Sequence, residues 1–256
     1  MSDIPIYSPS YRRAAGVRTH RILPGVRYCV AEAEADAYQA AGHEVIVMPD
    51  AAQGNVARAR NWILDHARDK GEADFLIIDD DIRAVKRWVN HAKAISLEGD
   101  DLAEFVEQGF RIAREWGVRL WGVQFNWDKG VYRESAPFST LSFLTASWHG
   151  FSGCPLRYDE ALPLKEDYDL TLQELNEWRK VLRFNFVHLM KDDHENRGGC
   201  AAMRNVAVER EQMEAFRRKW GSAIVKSDQG RSREKTRRRE QSFDINPIIK
   251  VPIPGV

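Results

Sequence analysis

The chain has 256 residues, compatible with one large α/β domain and ample for a real core. Lys plus Arg number 38 and Asp plus Glu number 38, so the formal net charge is zero and no whole-molecule field argues for a nucleic-acid partner. Cys29, Cys154 and Cys200 are odd in number and widely spaced, which fits reduced thiols in a cytoplasmic protein better than a disulfide framework or a paired zinc site.

No apolar run is long enough to span a bilayer and no secretory leader stands out, so no membrane partner is expected. Ile4-Pro5-Ile6-Tyr7 reads as a first strand. The turn Ser8-Pro9-Ser10-Tyr11-Arg12-Arg13 follows it. Such a loop suits a nucleotide, with Tyr11 stacking and Arg12 and Arg13 pairing with phosphate; an ordinary solvated turn accounts for it equally. Arg27 to Val30 is a second strand. Ala31 to Ala41, rich in Ala and Glu and followed by Gly42, reads as a helix with its stop signal. Glu44 to Met48 is a third strand, closed by Pro49-Asp50. Asp50 therefore falls at a strand end, where a ribose or base contact is conceivable.

A helix starts within Gly54-Asn55-Val56-Ala57-Arg58-Ala59-Arg60-Asn61. Arg58 and Asn61 lie three apart and share a face, while Arg60 points elsewhere. Solvent-facing arginines are the ordinary alternative on such a helix.

The stretch Asp74-Phe75-Leu76-Ile77-Ile78-Asp79-Asp80-Asp81 is the most informative in the chain. A short apolar run bounded by charge suits a strand buried on both faces of a parallel sheet. Open α/β sheets bind ligands beyond the carboxyl ends of their strands, so the three acids would face a crevice. Crowded carboxylates repel one another unless a cation joins them. Hard oxygen ligands suit Mg²⁺ or Mn²⁺. A solvated acidic turn is the bland reading.

The order of elements up to Asp81 resembles the nucleotide-binding half of GT-A glycosyltransferases. The resemblance implies a Rossmann-like, mixed and mainly parallel α/β sheet flanked by helices. It also implies that Asp79-Asp80-Asp81 is the D-x-D motif, which holds a divalent metal against the diphosphate of a nucleotide sugar.

Asp100 to Glu115 is a helix whose first-turn acids agree with its dipole, and Gly117 ends it. Leu120 to Asn126 is the next strand. In Trp127-Asp128-Lys129-Gly130-Val131-Tyr132, Trp127 or Tyr132 would stack a base or sugar of the acceptor, or would simply plug the loop. Phe138 to Trp148 alternates toward another strand.

Lys165-Glu166-Asp167 opens an amphipathic helix running through Leu175 and Trp178. Acids at a helix start serve as caps. The GT-A resemblance implies more: an x-E-D triplet at a helix start below the acceptor site. Asp167 is then the general base for the acceptor hydroxyl, with Glu166 its rival.

Phe184 to Met190 is a late strand, and Lys191-Asp192-Asp193-His194-Glu195-Asn196-Arg197-Gly198-Gly199 follows. The resemblance implies a late metal-ligating histidine, for which His194 is placed. His188 lies inside the apolar strand and reads as a core histidine. Arg197 and Gly198 would close over the sugar or diphosphate.

Lys and Arg crowd the region from Arg217 to Arg239. Such a block is a solvated segment or an arm for nucleic acid, contacting either the DNA backbone or the sugar donor's phosphates, with Arg237, Arg238 and Arg239 at its end. The apolar end, Ile245 to Pro254, suits docking on the core. The expected division is therefore 1–215 for the catalytic domain and 216–256 for a basic extension.

Taken together, Ile6 to Ala14, Gly54 to Asn61, Phe75 to Asp81, Lys165 to Asp169 and His194 to Gly199 resemble the TET-associated glycosyltransferase family of bacteriophages. This resemblance implies transfer of a sugar from a UDP-sugar to 5-hydroxymethylcytosine in DNA, inside an infected bacterial cell. It implies Ser8, Tyr11, Arg12, Arg13, Asp50, Arg58, Asn61, Asp79, Asp80, Arg197 and Gly198 as donor contacts, and Asp79, Asp81 and His194 as metal ligands. A glycan, lipid or protein acceptor, or a nucleotide-binding module without turnover, are the alternatives.

Overall fold

The computed structural model describes residues 4–126, 128, 130–191, 206–226 and 247–251. The first half of the chain alternates strand and helix. It runs β1 (Ile6–Pro9), β2 (Val26–Ala31), α1 (Ala35–Ala40), β3 (Val45–Met48), α2 (Val56–Asp69) and β4 (Asp74–Ile78). A hairpin, β5 (Ile82–Asn90) and β6 (Lys93–Leu97), then leads to α3 (Gly99–Glu115). The second half carries β7 (Leu120–Gln124), β8 (Phe138–Ser139), β9 (Trp148–Ser152), α4 (Glu166–Trp178) and β10 (Leu182–Lys191). Last come α5 (Val206–Trp220), β11 (Val225–Lys226) and β12 (Ile248–Ile249).

Ten strands form one sheet in the order β3-β2-β1-β4-β9-β7-β10-β5-β6, with β8 paired to β10. Strands β1 to β4 run parallel, β9 opposes both β4 and β7, and β10 runs parallel to β7. The hairpin β5–β6 closes the far edge by antiparallel pairing. The sheet is thus mixed, with most strands sharing the direction of β1, as the α/β expectation requires.

Burial explains β4. Phe75, Leu76, Ile77 and Ile78 are all buried, and alternate residues enter different cores. Leu76 and Ile78 pack with α1 and α3 residues such as Tyr38, Phe105 and Phe110. Phe75 and Ile77 pack with α2 and α4 residues such as Ile63, Leu64 and Leu170. The sheet is therefore a middle layer between two helical layers, which is why its central strands are apolar on both faces.

Three features depart from the sequence reading. The hairpin β5–β6 has no counterpart in it. The strand sought before Trp148 begins at Trp148, because the preceding residues turn aside to line α4: Leu144 N–H donates to Thr171 Oγ1 at 3.2 Å. The expected boundary at 215/216 falls inside α5, whose Phe216 is buried with Leu162, Leu172, Ile224 and Val225. This third small core, with Ile249 and Val251 against it, docks the described C-terminal residues on α4. Among the described residues no helix is long and apolar enough to cross a membrane, and Cys29 and Cys154 are buried free thiols.

Candidate functional site

The chain leaves β1 for β2 on one side, and β4 lies on the other. At such a switch point the loops diverge and open a crevice beyond the strand ends. The Asp79-Asp80-Asp81 turn leaves β4 there, facing the Ser10–Arg13 loop that leaves β1. Thr19, fully buried, pins the turn: its hydroxyl donates to the Asp79 carbonyl at 2.6 Å and accepts Ile82 N–H at 3.2 Å. The Asp80 carbonyl accepts Arg18 N–H at 2.7 Å.

Each acid of the turn meets a cation. Arg60 Nη2 donates to Asp79 Oδ1 at 2.9 Å, and Lys191 Nζ donates to Asp79 Oδ2 at 2.7 Å. Burial opposes ionisation of Asp79, but these two cations outweigh it and hold the carboxyl well below its usual range. Arg13 Nη1 lies 3.0 Å from Asp80 Oδ1 and 3.4 Å from Asp81 Oδ2. Asp80 also accepts a short bond from the Ser10 hydroxyl, which contacts Tyr38 Oη at 2.6 Å. Burial nevertheless raises the Asp80 carboxyl. Asp81 is raised to about 6 by burial and by its two acidic neighbours, against Lys191 and Arg13.

A second acidic pair joins this cluster through Arg60. Arg60 is 4% exposed, and its Nη1 donates to Glu166 Oε1 at 2.6 Å. Glu166 opens α4, and burial together with adjacent Asp167 raises it to about 7. Asp167 makes only backbone contacts: its Oδ1 accepts Tyr168 N–H at 2.9 Å and its Oδ2 accepts Ala146 N–H at 3.5 Å. Burial raises its carboxyl too.

Among the described residues, Asp79, Asp80, Asp81, Glu166 and Asp167 thus face Arg13, Arg60 and Lys191, an excess of two acids when all are ionised. No group of three or more His, Cys, Asp or Glu side chains among the described residues converges as a metal cluster.

The start of α4 is held from behind by α5. Lys165, 2% exposed, donates to Glu209 Oε2 at 2.7 Å. Asp169, fully buried, accepts Trp220 Nε1 at 2.8 Å and pairs with Lys219 at 2.8 Å.

The expected site residues divide accordingly. Asp79, Asp80, Asp81, Arg13, Glu166 and Asp167 come together. Ser8 does not join them: it is fully buried inside β1, and Ser10 is the serine that touches Asp80. Tyr11 and Arg12 stack on each other at 4.8 Å beside the crevice, with Arg12 in the left-handed region at φ 56° and its N–H on Glu34. Asp50 stands exposed after β3, accepting Ala33 N–H at 3.4 Å.

Arg58 and Asn61 do share a face, but that face meets the segment before α4. Arg58 Nε pairs with Glu160 Oε2 at 3.1 Å, and Asn61 exchanges hydrogen bonds with the Tyr158 backbone at 2.9 Å. Neither side chain reaches the carboxylates. Tyr132 stacks on Trp88 at 5.9 Å, and Trp88 lies six residues along β5 from Ile82, roughly 20 Å from the crevice edge at 3.3 Å per residue. It does not join the cluster. Trp127, His194, Arg197, Gly198, Arg237, Arg238 and Arg239 lie outside the described residues.

Two residues that sequence reasoning passed over hold the cluster together. Arg60 sits in the apolar stripe of α2 between Ala57 and Leu64, both fully buried. An arginine at such a position is buried only if paired, and that was the available signal. Lys191 is the last residue of β10, at the same sheet edge as Asp81, because Lys191 registers with Ile82.

A comparison with curated proteins gives no match. Among solved structures, CMP:2-keto-3-deoxy-manno-octonic acid synthetase complexed with CTP is similar at 11% identity and a TM-score of 0.38, over 85% of this chain and 100% of that one. That likeness is too distant to bear on function. The profile of the TET-Associated Glycosyltransferase family matches residues 4–199, a span that holds the whole carboxylate crevice from Ser10 to Lys191. The chain belongs to the TET-Associated Glycosyltransferase family.

Proposed function

We propose that this glycosyltransferase moves a sugar from a UDP-sugar to 5-hydroxymethylcytosine in DNA, with inversion at the anomeric carbon. The observation that carries the reading is the line of paired charge from Asp80 and Asp81, through Arg13 and Lys191 to Asp79, and on through Arg60 to Glu166 beside Asp167. It joins the crevice at the switch point, where a nucleotide diphosphate would lie, to a helix start that would carry the acceptor base.

A divalent metal fits the donor set. Asp81 Oδ1 is buried without a hydrogen bond, 3.6 Å from the Lys191 ammonium. Asp79 and Asp81 would hold Mn²⁺ or Mg²⁺ together with donor phosphates, and His194 is the further ligand the family resemblance supplies. Bound there, the metal would neutralise charge on the departing diphosphate. Arg13 and Lys191 carry positive charge at the same edge and would orient the phosphates.

Asp167 suits the base role better than Glu166. The Glu166 carboxylate is occupied by Arg60 and 8% exposed. Asp167 is half-buried and bonded only to backbone N–H groups. A carboxylate bonded only to neutral donors among the described residues, whose burial raises its pKa against the opposing pull of Arg60, accepts a proton more readily. Asp167 would take the proton of the acceptor hydroxymethyl group as its oxygen attacks the anomeric carbon.

The test is direct. Incubate the protein with Mn²⁺, hydroxymethylated DNA and a panel of UDP-sugars, and weigh the released nucleosides. A hexose mass on hydroxymethylcytosine is expected. Unmodified nucleosides with every donor would overturn the acceptor.

A further inference from the structure

One large aromatic side chain at the crevice edge remains uncovered. Phe125 is 51% exposed and follows the carboxyl end of β7. That end faces the same way as the end of β4, since β9 opposes both strands. The ring is also held in place. The Gln124 side-chain carbonyl accepts Phe125 N–H at 3.1 Å and Asn126 N–H at 3.3 Å, which fixes the turn.

Phe125 heads a file of rings that ends beside Asp167. It meets Phe143 edge-on at 5.8 Å, and Phe143 stacks on Tyr168 at 4.0 Å and 14°. The segment that supplies Phe143 continues to the carboxylates. Ala146 N–H faces Asp167, the Ala146 carbonyl faces Arg60 at 3.4 Å, and Ser147 Oγ accepts Lys191 at 3.1 Å. One short segment thus connects the ring file to Asp167 and to the two cations, Arg60 and Lys191, that hold Asp79.

Charge narrows the partner. Arg183 Nη1 donates to the Phe143 carbonyl at 3.3 Å and its Nε to Asn185 at 2.9 Å, with no carboxylate partner among the described residues. Guanidinium carries five donors, so donors remain for an anion. Flat apolar rings beside an uncompensated cation match a nucleic-acid strand, whose bases stack and whose backbone is anionic.

We propose that Phe125, backed by Phe143 and Tyr168, is the platform on which an unstacked base of the acceptor lies, with Arg183 facing its backbone phosphate. Enzymes that act on a base take it out of the duplex stack, and Phe125 is the exposed end of a ring file that reaches Tyr168, the chain neighbour of Asp167. This rests on the DNA acceptor reading above and names the residues that would bind it.

The experiment is a binding measurement that needs no turnover. A short single-stranded oligonucleotide with 2-aminopurine in place of hydroxymethylcytosine is titrated with the full chain. Quenched fluorescence on binding is expected, because stacking quenches the probe. Phe125→Ala should weaken binding by ~10-fold or more, and Phe125→Trp should keep it, since base stacking on an aromatic is worth roughly 1–3 kcal/mol. UDP-sugar affinity should be the same for both variants. Unchanged oligonucleotide affinity in Phe125→Ala, or no quenching by the wild-type protein, would overturn the platform. So would equal weakening in Phe125→Trp, or a matching loss of UDP-sugar affinity. Quenching without sugar transfer would leave the platform standing and overturn the function; transfer to hydroxymethylcytosine in DNA without quenching would do the reverse.

Discussion

Arg60 and Glu166 meet at 2.6 Å, both buried, although 106 positions separate them in the chain. The same guanidinium binds Asp79, so one arginine ties the strand-end acids to the helix that carries Asp167. Arg60→Met strands the buried Glu166 carboxylate, while half-buried Asp79 keeps Lys191, and should destabilise the protein by ~3–5 kcal/mol. Adding Glu166→Gln should recover part of that loss, because one stranded charge is removed. Urea denaturation of the two single variants and the double variant checks the coupling. Additivity within about 0.5 kcal/mol would mean that the pair is not coupled.

Asp167→Asn keeps the shape of the side chain and removes its basicity. Turnover should fall by ~10²–10⁴, with UDP-sugar affinity retained. Glu166→Gln should cost turnover less and stability more, because it is the partner of Arg60. Normal turnover by Asp167→Asn would remove it as base, and a product with the donor's anomeric configuration would remove the inverting mechanism.

Asp81→Ala deletes the buried oxygen that lacks a hydrogen bond. Mn²⁺ binding, followed by electron paramagnetic resonance, should weaken, and sugar transfer should be abolished. Chelation should silence the wild-type protein, and Mn²⁺ should restore it. Full transfer by Asp81→Ala in excess chelator would eliminate the metal role.

Glu174, two turns along α4 from Asp167, gives a further pH prediction. It is fully buried, accepts only the Cys154 thiol at 2.7 Å, and burial raises it from 4.5 to about 7. The folded state therefore holds a proton that the unfolded chain releases near pH 4.5. Stability from this group is intact below pH 4.5 and is lost as pH rises to about 7. Glu174→Gln should gain ~2–3 kcal/mol over wild type at pH 8, because each tenfold change in proton affinity is worth about 1.36 kcal/mol. The advantage should vanish at pH 4. Equal melting temperatures at pH 8 would contradict it.

What the sequence reveals follows the range of the interaction. The apolar run of β4, its acids and the Glu166-Asp167 helix start are local patterns, and their places follow from periodicity and strand-end chemistry. Arg58 and Asn61 share a face as their spacing requires, yet periodicity does not say that Tyr158 and Glu160 cover it. Arg60 was legible only as an arginine in an apolar stripe. Lys191 was legible only as a charge at a strand end. Their partners lie on other elements, and single-sequence spacing carries no register between strands. The hairpin β5–β6 escaped because its exposed Arg83, Arg87 and Lys93 interrupt the apolar alternation. The mixed charge of α5 hid a helix whose buried contacts are Phe216 and Glu209.

The pairs around α4 also set an order of events during synthesis. Asp79 receives its second cation only when Lys191, 112 residues later, has left the ribosome. Lys165 and Asp169 wait longer still, for Glu209 and for Lys219 and Trp220, which lie beyond residue 199 where the family match ends. A nascent chain that has completed the parallel strands already has Arg13 and Arg60 against its acids but still lacks Lys191. The crevice is therefore finished from the C-terminal side, and the start of α4 gains its last counter-charges only once Lys219 and Trp220 are made.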